Sequence, residues 1–203
     1  MGTIAILDYG MGNLRSVSKA VEWVGGTGVV TSDPAEAAGA AAAIVPGVGA
    51  FGACMRGLSQ TGLDAAIRKL AAGDRPVLGV CLGMQVLFEA SEEDPEPGLG
   101  LIPGIVRRLQ ARPGVKVPHM GWNEVTWTGD HPLARGLSPG ERFYFVHSFA
   151  PGVIDGTTVG VAEHGRPFSA AVARGSVFAT QFHPERSGDA GLALYEAFVK
   201  EVG

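Results

Sequence analysis

Apolar residues in the first half of the chain form short continuous runs bounded by glycine, proline and charged residues. Runs of this kind are typical of strands that are buried on both faces of a parallel sheet. The pattern therefore predicts four buried strands, at residues 3–7, around 29–30, at 41–45 and at 76–80.

Between the predicted strands, apolar residues recur at steps of three and four, as on the buried face of an amphipathic helix. This spacing predicts a helix over 14–24 with Asn13 as its cap, and another that opens at Thr61 and ends at Gly73. A last helix is predicted over about 189–202. Strands alternating with helices indicate an α/β fold in which helices flank a mostly parallel sheet on both faces.

After Pro103 the pattern changes to short β-like runs separated by turn residues. We expect these runs to add hairpins and antiparallel edge strands to the parallel core. No low-complexity linker interrupts the chain, so residues 1–203 are expected to form one domain, with the acidic segment 91–98 as a mobile surface loop. The runs are 105–109, 125–127, 142–146, 158–162, 168–173 and 177–182.

The composition excludes several classes of protein. Sixteen basic and twenty acidic residues, with no long basic run, argue against a protein that binds nucleic acid or a membrane surface through bulk charge. Two cysteines are too few for a disulfide framework or for a zinc site built on thiolates. No apolar run approaches the length of about 18 residues that a membrane span needs. We expect a cytoplasmic protein, and nothing in the sequence indicates a metal or a cofactor.

The segment from Gly79 to Gly83 reads Gly-Val-Cys-Leu-Gly directly after the fourth predicted strand. This G-x-C-x-G pattern is the cysteine counterpart of the nucleophile elbow, a turn too sharp for side chains at neighbouring positions. We expect Cys81 to lie at the start of a helix, where backbone N–H groups and the helix dipole favour the reactive thiolate. The alternative is a buried structural cysteine, which is the expected role of Cys54.

A histidine and a carboxylate lie two residues apart near the end of the chain. His183 and Glu185 follow the last β-like run, with a proline between them. On an extended segment both side chains face the same side, so Glu185 is placed to orient His183 as the base for a cysteine nucleophile. The other histidines have no carboxylate at this spacing, although a surface His-Pro turn is the alternative for His183.

Two short strings carry a resemblance to a known family. The string Gly-Val-Cys-Leu-Gly-Met-Gln around Cys81 and the string Gln-Phe-His-Pro-Glu at 181–185 resemble the class I, triad-type glutamine amidotransferases. Longer strings resemble the glutaminase subunits of that family that serve histidine biosynthesis, and the resemblance covers essentially the whole chain. These strings are Asp-Tyr-Gly-Met-Gly-Asn-Leu at 8–14, Pro-Gly-Val-Gly-Ala-Phe at 46–51, Lys-Val-Pro-His-Met-Gly-Trp-Asn at 116–123 and Tyr-Phe-Val-His-Ser at 144–148.

The resemblance implies the class I glutamine amidotransferase fold and a Cys-His-Glu triad that hydrolyses L-glutamine to glutamate and ammonia. Cys81 would attack the side-chain carboxamide of glutamine. His183 would take the proton from sulfur and give it to the departing ammonia, and Glu185 would orient His183. These roles match those that the two motifs indicate without the resemblance.

The resemblance also implies an oxyanion hole built from backbone N–H groups. One would come from Leu82, directly after the nucleophile, and one from the loop at Gly47 and Val48. In this family a peptide flip of that loop is thought to complete the hole. Glycine on both sides of Val48 makes such a flip sterically easy, which is an independent reason to expect it.

Four residues match family positions that hold the amino-acid end of glutamine: Gln85, Glu93, His147 and Ser148. The last two belong to a segment whose backbone makes the contact. The alternatives are a helix-surface position for Gln85, a solvated loop position for Glu93 and a packing role for His147.

The implied partner is a (β/α)8-barrel cyclase subunit, in a heterodimer in which ammonia passes to a nucleotide-like substrate. The products would be imidazole glycerol phosphate and an aminoimidazole carboxamide ribonucleotide. Asn13, Trp122, Asn123 and Arg186 match positions at or near the contact, with Trp122 as the main anchor and core packing as its alternative role. The family usually has lysine where this chain has Arg186, so a salt link to the partner would have a changed geometry.

Three other functions remain open from the sequence. The chain could serve another ammonia-dependent synthase, or it could be a cysteine peptidase or chaperone-like protein with the same elbow. It could also be a regulatory subunit with an inactive site, although the intact Cys81, His183 and Glu185 weigh against that interpretation.

Overall fold

The computed structural model describes residues 2–128 and 131–203 of the chain. The strands of the first half lie where the apolar runs predict them. In the second half, the strand at His119–Glu124 and the short strands at Ala90–Ser91 and Phe149–Pro151 were not predicted. In the described part of the chain the strands are β1 (Thr3–Leu7), β2 (Thr27–Thr31), β3 (Ala42–Gly47), β4 (Val77–Cys81), β5 (Ala90–Ser91), β6 (Ile105–Arg108), β7 (His119–Glu124), β8 (Thr126–Trp127), β9 (Arg142–His147), β10 (Phe149–Pro151), β11 (Thr158–Glu163), β12 (Pro167–Arg174) and β13 (Val177–Thr180).

The predicted α/β class is confirmed by the main sheet. Its strand order over the described residues is β2-β1-β3-β4-β13-β12-β11-β8. The strands from β2 to β13 in that order are parallel, and β12, β11 and β8 extend the sheet in antiparallel pairing. The carboxyl ends of β3, β4 and β13 therefore lie side by side at one edge of the sheet.

Helices cover both faces of this sheet. Side chains of β1 alternate between the faces: Ala5 and Leu7 pack with the helices at 34–39, 51–61 and 63–72, whereas Ile4 and Ile6 pack with those at 14–23 and 188–201. Burial on both faces explains why the parallel strands read as continuous apolar runs. The helices are α1 (Leu14–Trp23), α2 (Pro34–Gly39), α3 (Phe51–Thr61), α4 (Leu63–Ala72), α5 (Leu82–Gln85) and α6 (Gly188–Glu201), with 3-10 turns at Pro132–Ala134 and Pro184–Arg186.

One predicted helix start differs from the structure. Thr61 ends α3, which was not predicted, and α4 begins two residues later, after Gly62. Gly62 adopts a left-handed conformation with φ +74°, which ends one helix and lets the next begin at once. Asn13 does occupy the N-cap position of α1, but its side chain makes no capping hydrogen bond and only its carbonyl accepts from the helix.

The expectation that the runs after Pro103 add hairpins and antiparallel edge strands to the parallel core was wrong for three of the six runs. β6 and β9 lie outside the main sheet, and β13 lies inside it, parallel to β4. Within the described residues, β5, β6 and β10 form a separate small sheet, and β7 pairs only with β9. The acidic segment 91–98 lies largely at the surface, as expected, but Glu92 ties its start to β6. The Glu92 carboxylate accepts from the Arg107 guanidinium at 2.8 Å and from the Arg108 backbone N–H at 2.9 Å. Across the part of the chain that the structure describes, no helix has the length and apolar character needed to cross a membrane.

Candidate active site

Cys81 lies at a sharp turn between β4 and α5. Its φ of +55° is in the left-handed region, which a side chain rarely adopts and which is typical of a nucleophile elbow. The turn brings α5 against the neighbouring strands, where a Cβ on Gly79 would come within 2.7 Å of the Gly83 carbonyl oxygen. A Cβ on Gly83 would collide with the carbonyl oxygen of Val45. Both glycines of the motif are therefore required by close backbone approach.

Cys81 lies at the start of a helix, as predicted, but this helix is short. It makes one turn, over Leu82–Gln85, and the chain continues as turns. The carbonyls just after α5 accept hydrogen bonds from the segment 98–101 instead of from another helical turn. Leu99 donates to the Val86 carbonyl at 2.8 Å, and Leu101 donates to that of Leu87 at 2.9 Å. A helix of one turn has a small dipole, which contributes little to stabilising a Cys81 thiolate. The nearby backbone N–H groups are what the elbow supplies for this purpose.

His183 and Glu185 form a buried pair behind the cleft. His183 Nδ1 lies 2.9 Å from Glu185 Oε1, and the two side chains are 4 % and 1 % exposed. Because a carboxylate oxygen accepts, Nδ1 is the donor in this bond. The 3-10 turn at Pro184–Arg186 holds the two side chains on the same side.

The other ring nitrogen of His183, Nε2, is available for proton transfer. Among the described residues Nε2 has no hydrogen-bond partner, although it is buried. Burial alone would lower the pKa of His183, but the side chains of Cys81 and Glu185 together raise it to about 10. His183 therefore has one nitrogen fixed by Glu185 and the other available for proton transfer near Cys81.

Gln181 is a site residue that the sequence analysis missed. It follows β13 and lies beside Cys81, with its Nε2 3.8 Å from the Cys81 sulfur. Its Oε1 accepts from Gln85 Nε2 at 3.1 Å. The signal was present in the sequence, because Gln181 is the first residue of the string that contains His183.

A cleft of about 290 Å³ opens above Cys81. It brings together Cys81, His183 and all the residues predicted to bind glutamine, although these come from distant parts of the chain. Glu185 is not in its wall, because it lies behind His183. The cleft is lined by Val48, Gly49, Cys81, Leu82, Gln85, Glu93, Pro118, Val146, His147, Ser148, Phe149 and His183.

Two of the predicted glutamine-binding residues are held in place by the fold. Gln85 is buried, not on a helix surface, and its Nε2 donates to the Phe149 carbonyl at 3.0 Å. Glu93 is half-buried, and its Oε2 accepts from the Phe51 N–H at 3.0 Å. One oxygen of Glu93 thus caps α3, whose N-cap Ala50 has no capping side chain.

The loop predicted to supply an oxyanion donor begins beside Cys81. Gly47 ends β3 directly opposite Cys81 in the β3–β4 register. A Cβ on Gly47 would come within 2.7 Å of the Gly83 backbone nitrogen, so this approach also requires glycine. The Tyr9 hydroxyl donates to the Pro46 carbonyl and anchors the start of the loop. Val48 follows at the cleft wall and is 44 % exposed.

The residues predicted to contact a partner do not form one cluster. Trp122 is 51 % exposed, so it is not a core residue, and its ring lies 6.3 Å from the Tyr144 ring. The Arg186 guanidinium lies 4.6 Å from the centroid of the same Tyr144 ring. Asn123 lies on the other face of β7, where its Nδ2 donates to the Glu163 carbonyl at 2.9 Å. Trp122, Tyr144 and Arg186 therefore form one exposed aromatic–cationic patch without Asn123.

The described residues contain no group of three or more His, Cys, Asp or Glu side chains that could hold a metal ion. The chemistry available at the cleft is that of a thiol, an imidazole with a paired carboxylate, and converging backbone N–H groups. This set fits acyl transfer from an amide to a cysteine.

Comparisons with known proteins agree with this chemistry. The family model described as "Glutamine amidotransferase class-I" matches residues 5–202. A solved structure of a glutamine amidotransferase superposes with a TM-score of 0.77 at 22 % identity and covers 98 % of both chains. The structure of PurLQS from Thermotoga maritima gives a TM-score of 0.75 at 22 % identity over 100 % of both chains. At these identities the solved structures show the fold alone.

The chain therefore belongs to the class I glutamine amidotransferases. Curated relatives are more specific. The imidazole glycerol phosphate synthase subunit HisH of Nitrosomonas europaea is 48 % identical over 214 residues, covering 98 % of this chain and 99 % of that protein. The HisH subunit of Aromatoleum aromaticum is 49 % identical and covers 98 % of each. Within its class the chain is thus a member of the HisH family of imidazole glycerol phosphate synthase subunits.

Proposed function

We propose that this chain hydrolyses L-glutamine at Cys81 and delivers the ammonia to the cyclase subunit of an imidazole glycerol phosphate synthase, in the cytoplasm. The observation that carries the proposal is the shared cleft, which Cys81 lines together with His183, a histidine whose Nε2 has no partner among the described residues. Membership in the HisH family supports the choice of synthase.

The first half of the reaction forms a thioester. The Cys81 sulfur attacks the carboxamide carbon of glutamine, and His183 Nε2 holds the proton that sulfur gives up. As the tetrahedral intermediate collapses, the C–N bond breaks and that proton passes to the leaving nitrogen, which departs as ammonia. Glu185 accepts from Nδ1 throughout, so Nε2 is the nitrogen that exchanges the proton.

The second half restores the enzyme. A water molecule attacks the thioester carbonyl and gives a proton to His183 Nε2. The C–S bond then breaks, glutamate leaves, and the proton returns to the Cys81 sulfur. The net reaction is glutamine plus water to glutamate plus ammonia, so the three side chains end in their starting states.

Backbone N–H groups stabilise the negative oxygen in both halves. Leu82 supplies one such group directly after the nucleophile, and the loop at Gly47 and Val48 supplies the other. The close packing of Gly47 against α5 supports this role, because it brings the backbone at the end of β3 next to the backbone of the elbow.

The partner is a (β/α)8-barrel cyclase that uses the ammonia to make imidazole glycerol phosphate and an aminoimidazole carboxamide ribonucleotide. The patch of Trp122, Tyr144 and Arg186 supports an interface, because exposed aromatic residues and arginine dominate binding energies at such surfaces. Contacts through Asn13 and Asn123 stay predictions, since Asn123 lies on the other face of β7 from this patch.

The test is to assay Cys81→Ala in complex with the cyclase subunit. Glutamine-dependent synthesis should be lost, whereas synthesis from an added ammonium salt should continue, because the elbow serves only ammonia production. Cys54→Ala is the matched control, since Cys54 is buried and does not line the cleft. Its thiol contacts Tyr9, so the variant should keep the ammonium-driven reaction in full and most of the glutamine-dependent reaction. Glutamine-dependent synthesis in Cys81→Ala, or loss of the ammonium-driven reaction in the folded complex, would overturn the proposal.

A further inference from the structure

Two histidines face each other across β7 and β9 and form a buried hydrogen-bond chain. His119 and His147 are directly paired in the strand register, with His119 Nδ1 2.9 Å from His147 Nε2. His147 Nδ1 lies 2.8 Å from the Phe149 carbonyl oxygen. At the other end, Asn123 Nδ2 lies 3.3 Å from His119 Nε2. Both imidazoles are buried.

The direction of every bond in this chain is determined. A carbonyl oxygen only accepts, so His147 Nδ1 carries the proton and His147 Nε2 accepts from His119 Nδ1. His119 Nε2 is then an acceptor, and the amide of Asn123 donates to it. The orientation of this amide is fixed independently, because its oxygen accepts from the Glu124 N–H at 2.9 Å.

Both histidines are neutral at the pH values at which enzymes work, as the hydrogen-bond chain requires. Burial, and to a smaller extent the neighbouring His164, lower the pKa of His119 to about 4. Burial likewise lowers the pKa of His147 to about 3, against a smaller opposing effect of its bond to Phe149. The hydrogen-bond chain therefore stays intact at neutral pH.

The hydrogen-bond chain ends on the wall of the cleft. The Phe149 carbonyl that accepts from His147 also accepts from Gln85 Nε2 at 3.0 Å. Gln85 in turn contacts Gln181, whose Nε2 is 3.8 Å from the Cys81 sulfur. His119 itself does not line the cleft. Its hydrogen bond to His147 instead fixes a residue that does.

We propose that His119 is a positioning residue for glutamine binding, acting through His147 and the Phe149 carbonyl on Gln85. This inference rests on the proposed function, because it assigns the cleft to glutamine. A purely structural role is the alternative, since the His119 ring also stacks at 4.1 Å on His164 and at 4.9 Å on Phe145.

Two substitutions separate hydrogen bonding from ring packing. His119→Phe keeps an aromatic ring but has neither donor nor acceptor. His119→Gln loses the ring, yet its amide oxygen can accept from Asn123 and its nitrogen can donate to His147. In His119→Phe, His147 loses the group that donates a hydrogen bond to it. The KM for glutamine should therefore rise about tenfold or more, with a smaller change in kcat. His119→Gln should stay within about threefold of the wild type. Ammonium-driven synthesis should be unchanged in both.

A second measurement does not depend on activity. Nitrogen NMR of histidine-labelled wild-type protein should show both His119 and His147 as the Nδ1–H tautomer. The Nε2–H tautomer at either residue would refute the hydrogen-bond chain, even if His119→Phe failed to fold. A wild-type KM in folded His119→Phe would assign His119 to packing alone. Correct tautomers in a wild-type complex that hydrolyses no glutamine would instead refute the proposed function.

Discussion

Gly47→Ala tests whether the backbone at the end of β3 takes part in the reaction. The new Cβ would lie 2.7 Å from the Gly83 nitrogen, 2.9 Å from Leu82 Cβ and 2.9 Å from the Tyr9 hydroxyl. Real Cβ atoms essentially never come closer than 3.0 Å to another heavy atom, and ordinary contact begins at 3.4 Å. The end of β3 and the start of α5 must therefore move apart by 0.3 to 0.7 Å.

This displacement falls between the two segments that supply the oxyanion donors. A 1 Å misplacement in an active site can reduce the rate about 100-fold, and losing one oxyanion donor reduces it about 100- to 1,000-fold. A shift of half that size should lower kcat for glutaminase about 10- to 100-fold. KM should change little, because the oxyanion forms only in the transition state. Overpacking should also destabilise the fold by about 1–3 kcal/mol.

The assay is glutamate release by the complex with the cyclase subunit, with a thermal melt of each variant. For a chain of this size, that loss of stability lowers Tm by roughly 2–4 °C per kcal/mol. Gly39→Ala is the matched control, because Gly39 ends the short helix α2 and nothing lies within 4 Å of a Cβ there. It should keep the wild-type kcat and Tm or raise Tm slightly. A folded Gly47→Ala with wild-type kcat would refute the assignment of this backbone to the oxyanion hole.

Two further predictions follow from the site. Burial lowers the pKa of His183, and Cys81 and then Glu185 raise it to about 10. Glu185→Gln keeps an acceptor for Nδ1 but removes a charge, so an NMR titration should show this pKa falling while the effect of Cys81 remains. The raised pKa contributes stability that is fully present below pH 6.5 and is lost as the pH rises through about 10, so the variant should lose the share that Glu185 supplies; an unchanged titration would mean that Glu185 does not hold the proton. The chain alone should hydrolyse glutamine slowly, and adding the cyclase and then its nucleotide ligand should raise the initial rate by up to about 100- to 1,000-fold, the effect of one oxyanion donor at Val48. A chain that reaches its full rate alone would refute this coupling.

The sequence predicted the strands β1, β3 and β4 of the parallel core because each carries its own local signal. Burial on both faces makes β1, β3 and β4 continuous apolar runs, and the glycines around Cys81 mark a turn that side chains would block. The strand β7 carries no such signal, because Gly121 and Asn123 interrupt its pattern. It exists through pairing with β9, in which Glu124 lies opposite Arg142 and His119 opposite His147.

The length of α5 shows a similar limit. The apolar spacing after Cys81 continues to Phe88, which favours a longer helix. What stops the helix is the segment 98–101, whose N–H groups bond the carbonyls that a helix would use. The composition of that segment does not indicate where it will pack, so no local pattern could have predicted the end of α5.

The arrangement of the catalytic residues depends on strand order, which no local pattern encodes. Gly47 ends β3, Cys81 ends β4 and His183 follows β13, and these three strands are neighbours in the sheet. Val80 is paired with Thr180, so the residues after each strand emerge side by side. Ligands of open parallel sheets bind at these carboxyl ends, where loops from separate segments converge. The motifs could indicate which side chains react. It is the insertion of β13 beside β4 that brings His183, about one hundred residues after Cys81 in the chain, to the nucleophile.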